Sequence, residues 1–440
     1  MRNLLSILLL FLVNTAAAQF SVSSNGRFLL KNNQPFFWLG DTAWELFHRL
    51  DSSDADYYLK RRSEQGFTVI QAVVLAELDG LHTPNSYGEK PLLNDDPGTP
   101  NEKYFEQVDY IIDKARYYNL TIALLPTWGD KIFKNTWGTG PEIFHEQNAG
   151  TYAAWLGNRY KNKTNIIWVL GGDRNPRNAR DIAVWRAMGQ AIMKATNNKP
   201  VISFHPQPNE TGAAQWFAND DWFSFNMFQN GHCRDVAVYD KIQSSYHAVP
   251  AMPVIDAEPL YEDHPVCFNQ KDLGISSAYD VRKFAYLELL AGAFGHTYGC
   301  HDIWQMYKPG VASVNGAHLP WKDAMELPGA RQMQLVRKIF ESHAIFKLVP
   351  DQSIIKENNY SAAERIQAAR GPAYILVYTA AGKNFTMTMG KIKGENLKGF
   401  WYNPRNGDST HIADIINEGS RKFIPPTSGY GQDWLLVLDR

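Results

Sequence analysis

Cysteine is scarce: the 440-residue chain holds three, Cys233, Cys267 and Cys300. An odd, small number argues against a disulfide framework, and the spacing matches no zinc motif; one disulfide pair and three free thiols both remain compatible with it. Net charge is equally scarce. Lys and Arg number 44 against 45 Asp and Glu, so no nucleic-acid or anionic-membrane partner is expected. No G-x-G-x-x-G follows an apolar run, which removes the usual mark of a dinucleotide-binding sheet, and no Ser or Cys stands in a G-x-S-x-G context. No converging set of His and Asp can be assembled into a metal site, and no cofactor is implied.

Long apolar runs are confined to the N-terminus. Arg2, then Leu4–Val13, then Ala16-Ala17-Ala18 read as a signal peptide over residues 1–18, with the mature chain starting near Gln19. The apolar run is shorter than the ~20 residues of a membrane span, so no membrane anchor is expected. No Cys follows it to take a lipid. The expected location is periplasmic or extracellular.

Aromatic residues, by contrast, are plentiful: 13 Trp and 21 Tyr exceed what a core needs, and surplus rings often line sugar- or protein-binding surfaces. From Phe36 to about Ser342 short apolar runs alternate with amphipathic stretches. Eight strand candidates lie at 36–41, 67–75, 120–128, 165–171, 201–205, 222–228, 253–258 and 293–300. Their near-continuous apolar character suits strands buried on both faces. Helical spacing recurs between them at 54–65, 102–118, 150–160, 180–196, 234–246, 278–291 and 329–343. In the first of these, Ser53-Asp54 reads as the start and Gly66 as the stop. The pattern predicts an α/β chain whose residues 19–344 form a (β/α)8 TIM barrel, with an open doubly wound sheet as the alternative. Residues 20–35 read as a hairpin turning at Asn32-Asn33 and bracing the barrel floor. Over 345–440 the pattern changes to short alternating strands, which predicts a small C-terminal antiparallel β-sandwich.

Catalytic groups of a TIM barrel stand at the C-terminal ends of its strands. That filter selects Asp41 and Trp44 after strand 1, Glu77 and Asp79 after strand 2, and Trp128 after strand 3. It selects Asp173 after strand 4, His205 after strand 5, and Asn226 and Gln229 at strand 6. Asp256 and Glu258 follow on strand 7, and Tyr298 and Trp304 at strand 8. Acids, amides and rings together suit a neutral, hydroxyl-rich ligand, so an oligosaccharide or polysaccharide is the expected partner. Glycoside hydrolysis needs two carboxyl groups flanking the bond. Strands 4 and 7 face each other across a barrel, which makes Asp173 and Glu258 the expected pair. Asp256 is expected to lie on the same face of the strand as Glu258, one layer deeper, and to support it; Glu77 and Asp79 are the rivals. Asp41, Trp44, Glu77, Tyr87, Trp128, His205, Asn226, Gln229, Tyr298 and Trp304 are expected to bind substrate. In the long segment 79–101, His82, Asn85 and Tyr87 are expected to close over it, which would suit exo action.

Several stretches carry a family resemblance in order: "FFWLGDTAW" at 36–44, "VVLAELDGLHTPNSYGEKPL" at 73–92, "PNEKYFEQVDYIIDKA" at 100–115 and "WVLGGDRNP" at 168–176. They resemble the apiosidase-like glycoside hydrolases, family 140, over about residues 20–340. The resemblance implies a retaining mechanism with Asp173 as acid/base and Glu258 as nucleophile. It also implies action on apiose in plant pectin, especially rhamnogalacturonan II side chains. Gly172-Asp173 stands where many related barrels carry Asn-Glu. "FWYNPRNG" at 400–407 resembles a β domain described as collagen-binding. The competing expectation is a carbohydrate- or matrix-binding protein on a degenerate barrel.

Overall fold

The computed structural model describes residues 20–135, 137–197, 200–357 and 359–440. The signal peptide expected at 1–18 lies outside the described residues. The chain opens with three short antiparallel strands, β1 (Phe20–Val22), β2 (Leu29–Lys31) and β3 (Gln34–Pro35). Asn32 and Asn33, with φ of 56° and 60°, form the β2–β3 turn. Two consecutive left-handed residues are what a tight hairpin requires, and Asn tolerates them. Phe20, Phe28 and Phe36 join Trp38 in the cluster that fills the barrel interior, so this sheet closes the barrel floor.

Eight parallel strands follow: β4 (Trp38–Thr42), β5 (Val69–Leu75), β6 (Thr121–Thr127), β7 (Ile166–Gly171), β8 (Ile202–His205), β9 (Asn226–Gln229), β10 (Val254–Glu258) and β11 (Gly295–Tyr298). Six pair in the order β11-β4-β5-β6-β7-β8, and β9 pairs with β10. The Ile202–Phe223 bridge links β8 to the approach to β9, and the Phe294 N–H donates to Val254 O between β10 and β11. The result is a TIM-like barrel. Strand alternation sorts each apolar run into two cores. Val69, Val73, Ala123, Leu125, Ile167 and Val169 point inward. Ile70, Val74, Ile122, Leu124, Trp168 and Leu170 point to the helices.

The helices occupy Ser52–Glu64, Glu102–Tyr117, Glu146–Tyr160, Ala179–Thr196, Val238–Tyr246, Ala278–Ala291 and Pro328–Ser342. The first is capped by Asp51, whose carboxylate accepts the Asp54 N–H, two residues earlier than the sequence signal suggests. No helix among the described residues is long and apolar enough to cross a membrane.

The C-terminal part is antiparallel throughout. Strands β12 (Val349–Pro350), β13 (Ile366–Arg370), β14 (Tyr374–Thr379), β15 (Phe385–Thr388), β16 (Asn396–Tyr402), β17 (Ser409–Ile416), β18 (Ser420–Phe423) and β19 (Trp434–Asp439) form a six-stranded sheet and the β15–β18 pair. Ile375, Val377, Leu436 and Leu438 pack toward the small sheet. Their alternates Leu376, Tyr378, Leu435 and Val437 pack on the barrel's last helices. There Tyr378 stacks on Tyr286 at 4.8 Å between ring centroids. Arg282 grips Asp433 through two bonds of 2.6 and 2.8 Å, both groups buried. Asp433→Ala strands a buried guanidinium, so it is expected to destabilise the protein by about 3–5 kcal/mol, read as a lowered denaturation midpoint.

Candidate active site

A cavity of about 620 Å³ opens at the C-terminal ends of the barrel strands, and both Asp173 and Glu258 line it. Asp173 leaves β7 through an unusual backbone. Gly171, Gly172 and Asp173 have φ of 88°, 106° and 54°. The glycines serve the protein more than the ligand. A Cβ on Gly171 would run into His205 O, and one on Gly172 would stand 2.7 Å from the Trp128 ring. The coil turns the Asp173 carboxylate toward Trp137, whose indole N–H donates to Oδ2 at 2.6 Å. Arg174, fully buried, holds this contact from behind by donating to the carbonyls of Asp173, Trp137 and Phe133.

Glu258 reaches the cavity by a different device. Asp256 pairs with Phe228 and Glu258 with Gln229, leaving Ala257 as an extra residue. Ile255 and Ala257 face the barrel interior, so strict alternation would send Glu258 toward the helices with Asp256. The bulge turns it over into the cavity. Asp256 is therefore not on the same face one layer deeper. Instead its Oδ1 accepts the Glu258 N–H and its Oδ2 accepts the Asn230 side-chain N–H, which fixes the bulge.

The two acids are driven apart electrically. Burial and the nearby Glu258 charge push the Asp173 carboxyl up to about 6, against the pull of Arg174, His205 and the Trp137 bond. Burial also raises Glu258, but two imidazoles outweigh it and hold its carboxyl well below the usual range. His205 Nε2 lies 3.2 Å from Oε2 and His232 Nε2 3.3 Å from Oε1. Glu77 shares the cavity; burial, then the charges of Asp173, Asp130 and Glu45, push it well above the carboxylate range. One carboxyl held below its usual range and one raised above it, facing a single cavity, is the arrangement acid-assisted displacement requires.

Of the other residues selected from sequence, Trp44, Trp128, Gln229 and Trp304 also line the cavity. His205 lies behind it, fully buried, with Trp44 edge-on at 5.3 Å. Four lie elsewhere. Asp41 is buried between the barrel and helix Ser52–Glu64, paired with Arg62 at 2.6 Å. Asn226 spends its amide on Thr211 O, Ser245 Oγ and the Ala214 N–H. Tyr298 donates to Glu262 in the core. Tyr87 is exposed and donates to Ser52 Oγ. The segment 79–101 does not close over the cavity: His82 bridges Asp79 and Asp95, and Asn85 binds its own loop. The walls come instead from Trp137 after β6, His232 after β9, Tyr261, His264 and Phe268 after β10, and Asn315 after β11. A disulfide between Cys233 and Cys267 joins two of these loops, and Cys300 remains a buried free thiol. Trp137→Phe removes the donor that lowers Asp173, so the basic limb of the pH–rate profile is expected to move up by as much as about one unit. An unmoved limb would separate the indole from the acid.

A barrel with an acid pair at its strand ends is the architecture of a glycoside hydrolase, and the comparisons agree. The chain is 33% identical to a solved glycoside hydrolase, with a TM-score of 0.86 over 96% of this chain and 97% of that one. It is 31% identical to a family 5 glycoside hydrolase from Bacteroides vulgatus, TM-score 0.87, over 96% and 93%. A family 5 mannosidase from Rhizomucor miehei shares the fold at 12% identity, TM-score 0.51, over 74% and 98%. None of the curated proteins matches the chain. Residues 23–347 match the apiosidase-like catalytic domain, so the chain belongs to the apiosidase-like family of glycosidases. Residues 349–439 match a collagen-binding domain of a collagenase.

Proposed function

We propose that the protein is a retaining, exo-acting glycosidase that releases apiose from pectin side chains such as those of rhamnogalacturonan II. In this reading Asp173 is the acid/base and Glu258 the nucleophile. The observation that carries the catalytic assignment is the opposite displacement of the two carboxyl groups within one cavity. The ionised Glu258 attacks the anomeric carbon while Asp173 gives its proton to the departing oxygen. A glycosyl ester of Glu258 forms. The Asp173 carboxylate then takes a proton from water, the hydroxide adds to the anomeric carbon, and Glu258 leaves. His205 and His232 keep Glu258 anionic and aimed. Trp44, Trp128 and Trp304 offer rings for the apolar face of a sugar, and Gln229 an amide for its hydroxyls. The apiose assignment follows the family, and a walled cavity suits removal of a terminal residue. The Cys233–Cys267 disulfide supports an exported protein, periplasmic or extracellular.

The test is a digest of apiose-containing pectin oligosaccharides followed by proton NMR. Free apiose appearing first with the anomeric configuration of the substrate is the expected result. Inverted product, or a different released sugar, would overturn the respective half of the proposal. Glu77→Gln separates the rival acid: with Asp173 as the proton donor, the amide at 77 is expected to keep kcat within about tenfold of wild type. A loss of a hundredfold or more would move the acid role to Glu77.

A further inference from the structure

The loops after β10 and β11 meet a second time, outside the cavity. Asp263 belongs to the first and Asp302 and His318 to the second; one ligand atom from each lies within 4.8 Å of the others. His318 Nδ1 stands 3.6 Å from Asp263 Oδ2. A tetrahedral zinc with bonds of about 2.1 Å would place two donors roughly 3.4 Å apart. Asp302 is fully buried. Its Oδ1 accepts the backbone N–H groups of His318 and Leu319 at 2.8 and 3.0 Å. Its Oδ2 is buried with no hydrogen-bond partner, and so is Asp263 Oδ2. Among the described residues no Lys or Arg forms an ion pair with either acid. An orphaned buried carboxylate oxygen facing a second carboxyl and an imidazole lacks only a cation.

We propose that Asp263, Asp302 and His318 bind a divalent transition-metal cation of the zinc class, which ties the loop after β10 to the loop after β11. Two carboxylate oxygens and one imidazole nitrogen suit zinc and its neighbours, whereas Ca²⁺ and Mg²⁺ prefer shells of six or more oxygens. The His318 side chain is half exposed, which leaves an entry path and room for water as a fourth ligand. The cation does not touch the sugar. Its ligands are chain neighbours of the rings behind the nucleophile, Asp263 of His264 and Asp302 of His301. His264 stacks on His232 at 4.1 Å and meets His301 edge-on at 4.5 Å. Holding the two loops together holds these rings, and through His232 the orientation of Glu258. The ligands come from separate loops, so no sequence spacing could announce them.

The test uses the whole, tag-free protein after chelator treatment and dialysis, titrated calorimetrically with zinc chloride and melted with and without it. One zinc per chain and a melting temperature raised by roughly 3 °C at a hundredfold excess over Kd are expected. His318→Ala, a surface change that spares the core, is expected to weaken binding at least tenfold. Asp302→Asn keeps the acceptor for the two backbone N–H groups and is expected to abolish both binding and the melting shift. Three results would overturn the proposal. One is no saturable binding up to millimolar zinc, another is equal binding by both variants, and the third is a response to Ca²⁺ without one to Zn²⁺. Stabilisation of Asp302→Asn with no zinc response in the wild type would identify the cluster as a proton-sharing carboxyl pair instead.

Discussion

Glu258→Gln is expected to abolish turnover, by a factor on the order of 10⁴ or more in kcat, while the fold and substrate binding survive. The amide occupies the same volume at the bulge, and its backbone N–H still reaches Asp256. What disappears is the negative charge that His205 and His232 sustain at 3.2 and 3.3 Å. An amide oxygen is too weak a nucleophile to form the glycosyl ester. The check combines kcat on an aryl glycoside, calorimetric binding of the oligosaccharide, and a melting curve within a few degrees of wild type. Residual activity within tenfold would show that the attacking group is another residue.

Asp173→Asn is expected to lower kcat by about 10²–10⁴ on natural oligosaccharides, whose alkoxide leaving groups need a proton. On aryl glycosides with an acidic phenol the glycosylation step needs less help, so the loss there is smaller. That contrast distinguishes a lost proton donor from a damaged site, which would slow both substrates alike. The wild-type pH profile carries the same signature. Donation requires protonated Asp173, and its carboxyl is raised to about 6. Activity is therefore full below that value and falls as pH rises through it. Glu258 must be ionised and is held well below the usual carboxylate range, so the acid limb is displaced downward. In Asp173→Asn the limb near pH 6 is expected to vanish. Its persistence would point to Glu77, whose carboxyl burial raises as well.

The barrel was legible because each strand leaves a local mark. The run at 165–171 becomes β7, Ile166–Gly171, and the run at 120–128 becomes β6, Thr121–Thr127. Ordering eight such runs between helical stretches leaves little choice of architecture, and the chain's order places Asp173 and Glu258 at strand ends. The turn at Asn32-Asn33 was equally local. The cysteines were not: a pair and three free thiols were equally open until the loops after β9 and β10 brought Cys233 to Cys267.

Strand-end position also misled. Asp41 ends β4 as a catalytic acid might, yet Arg62 and Tyr58 of the next helix claim it. The segment 79–101 had the length of a lid and folds onto itself instead. Trp137, which contacts Asp173, belongs to a loop from the neighbouring strand, and nothing near it in sequence mentions an acid. Asn226 and Tyr298 had suitable chemistry, but their hydrogen-bonding capacity is consumed by core neighbours.

The sequence by itself determined the (β/α)8 class, the antiparallel C-terminal sheet, the floor hairpin and the position of two acids at strand ends. All of these follow from side-chain periodicity and turn chemistry over a few residues. Only the tertiary structure decided which face Glu258 takes, since that depends on one extra residue at Ala257. It also decided that the two carboxyls are displaced in opposite directions, because that is set by His205 at the end of β8 and by His232 and Trp137 from two different loops. A charge state in a buried cavity is a sum over spatial neighbours, and chain order carries no record of them.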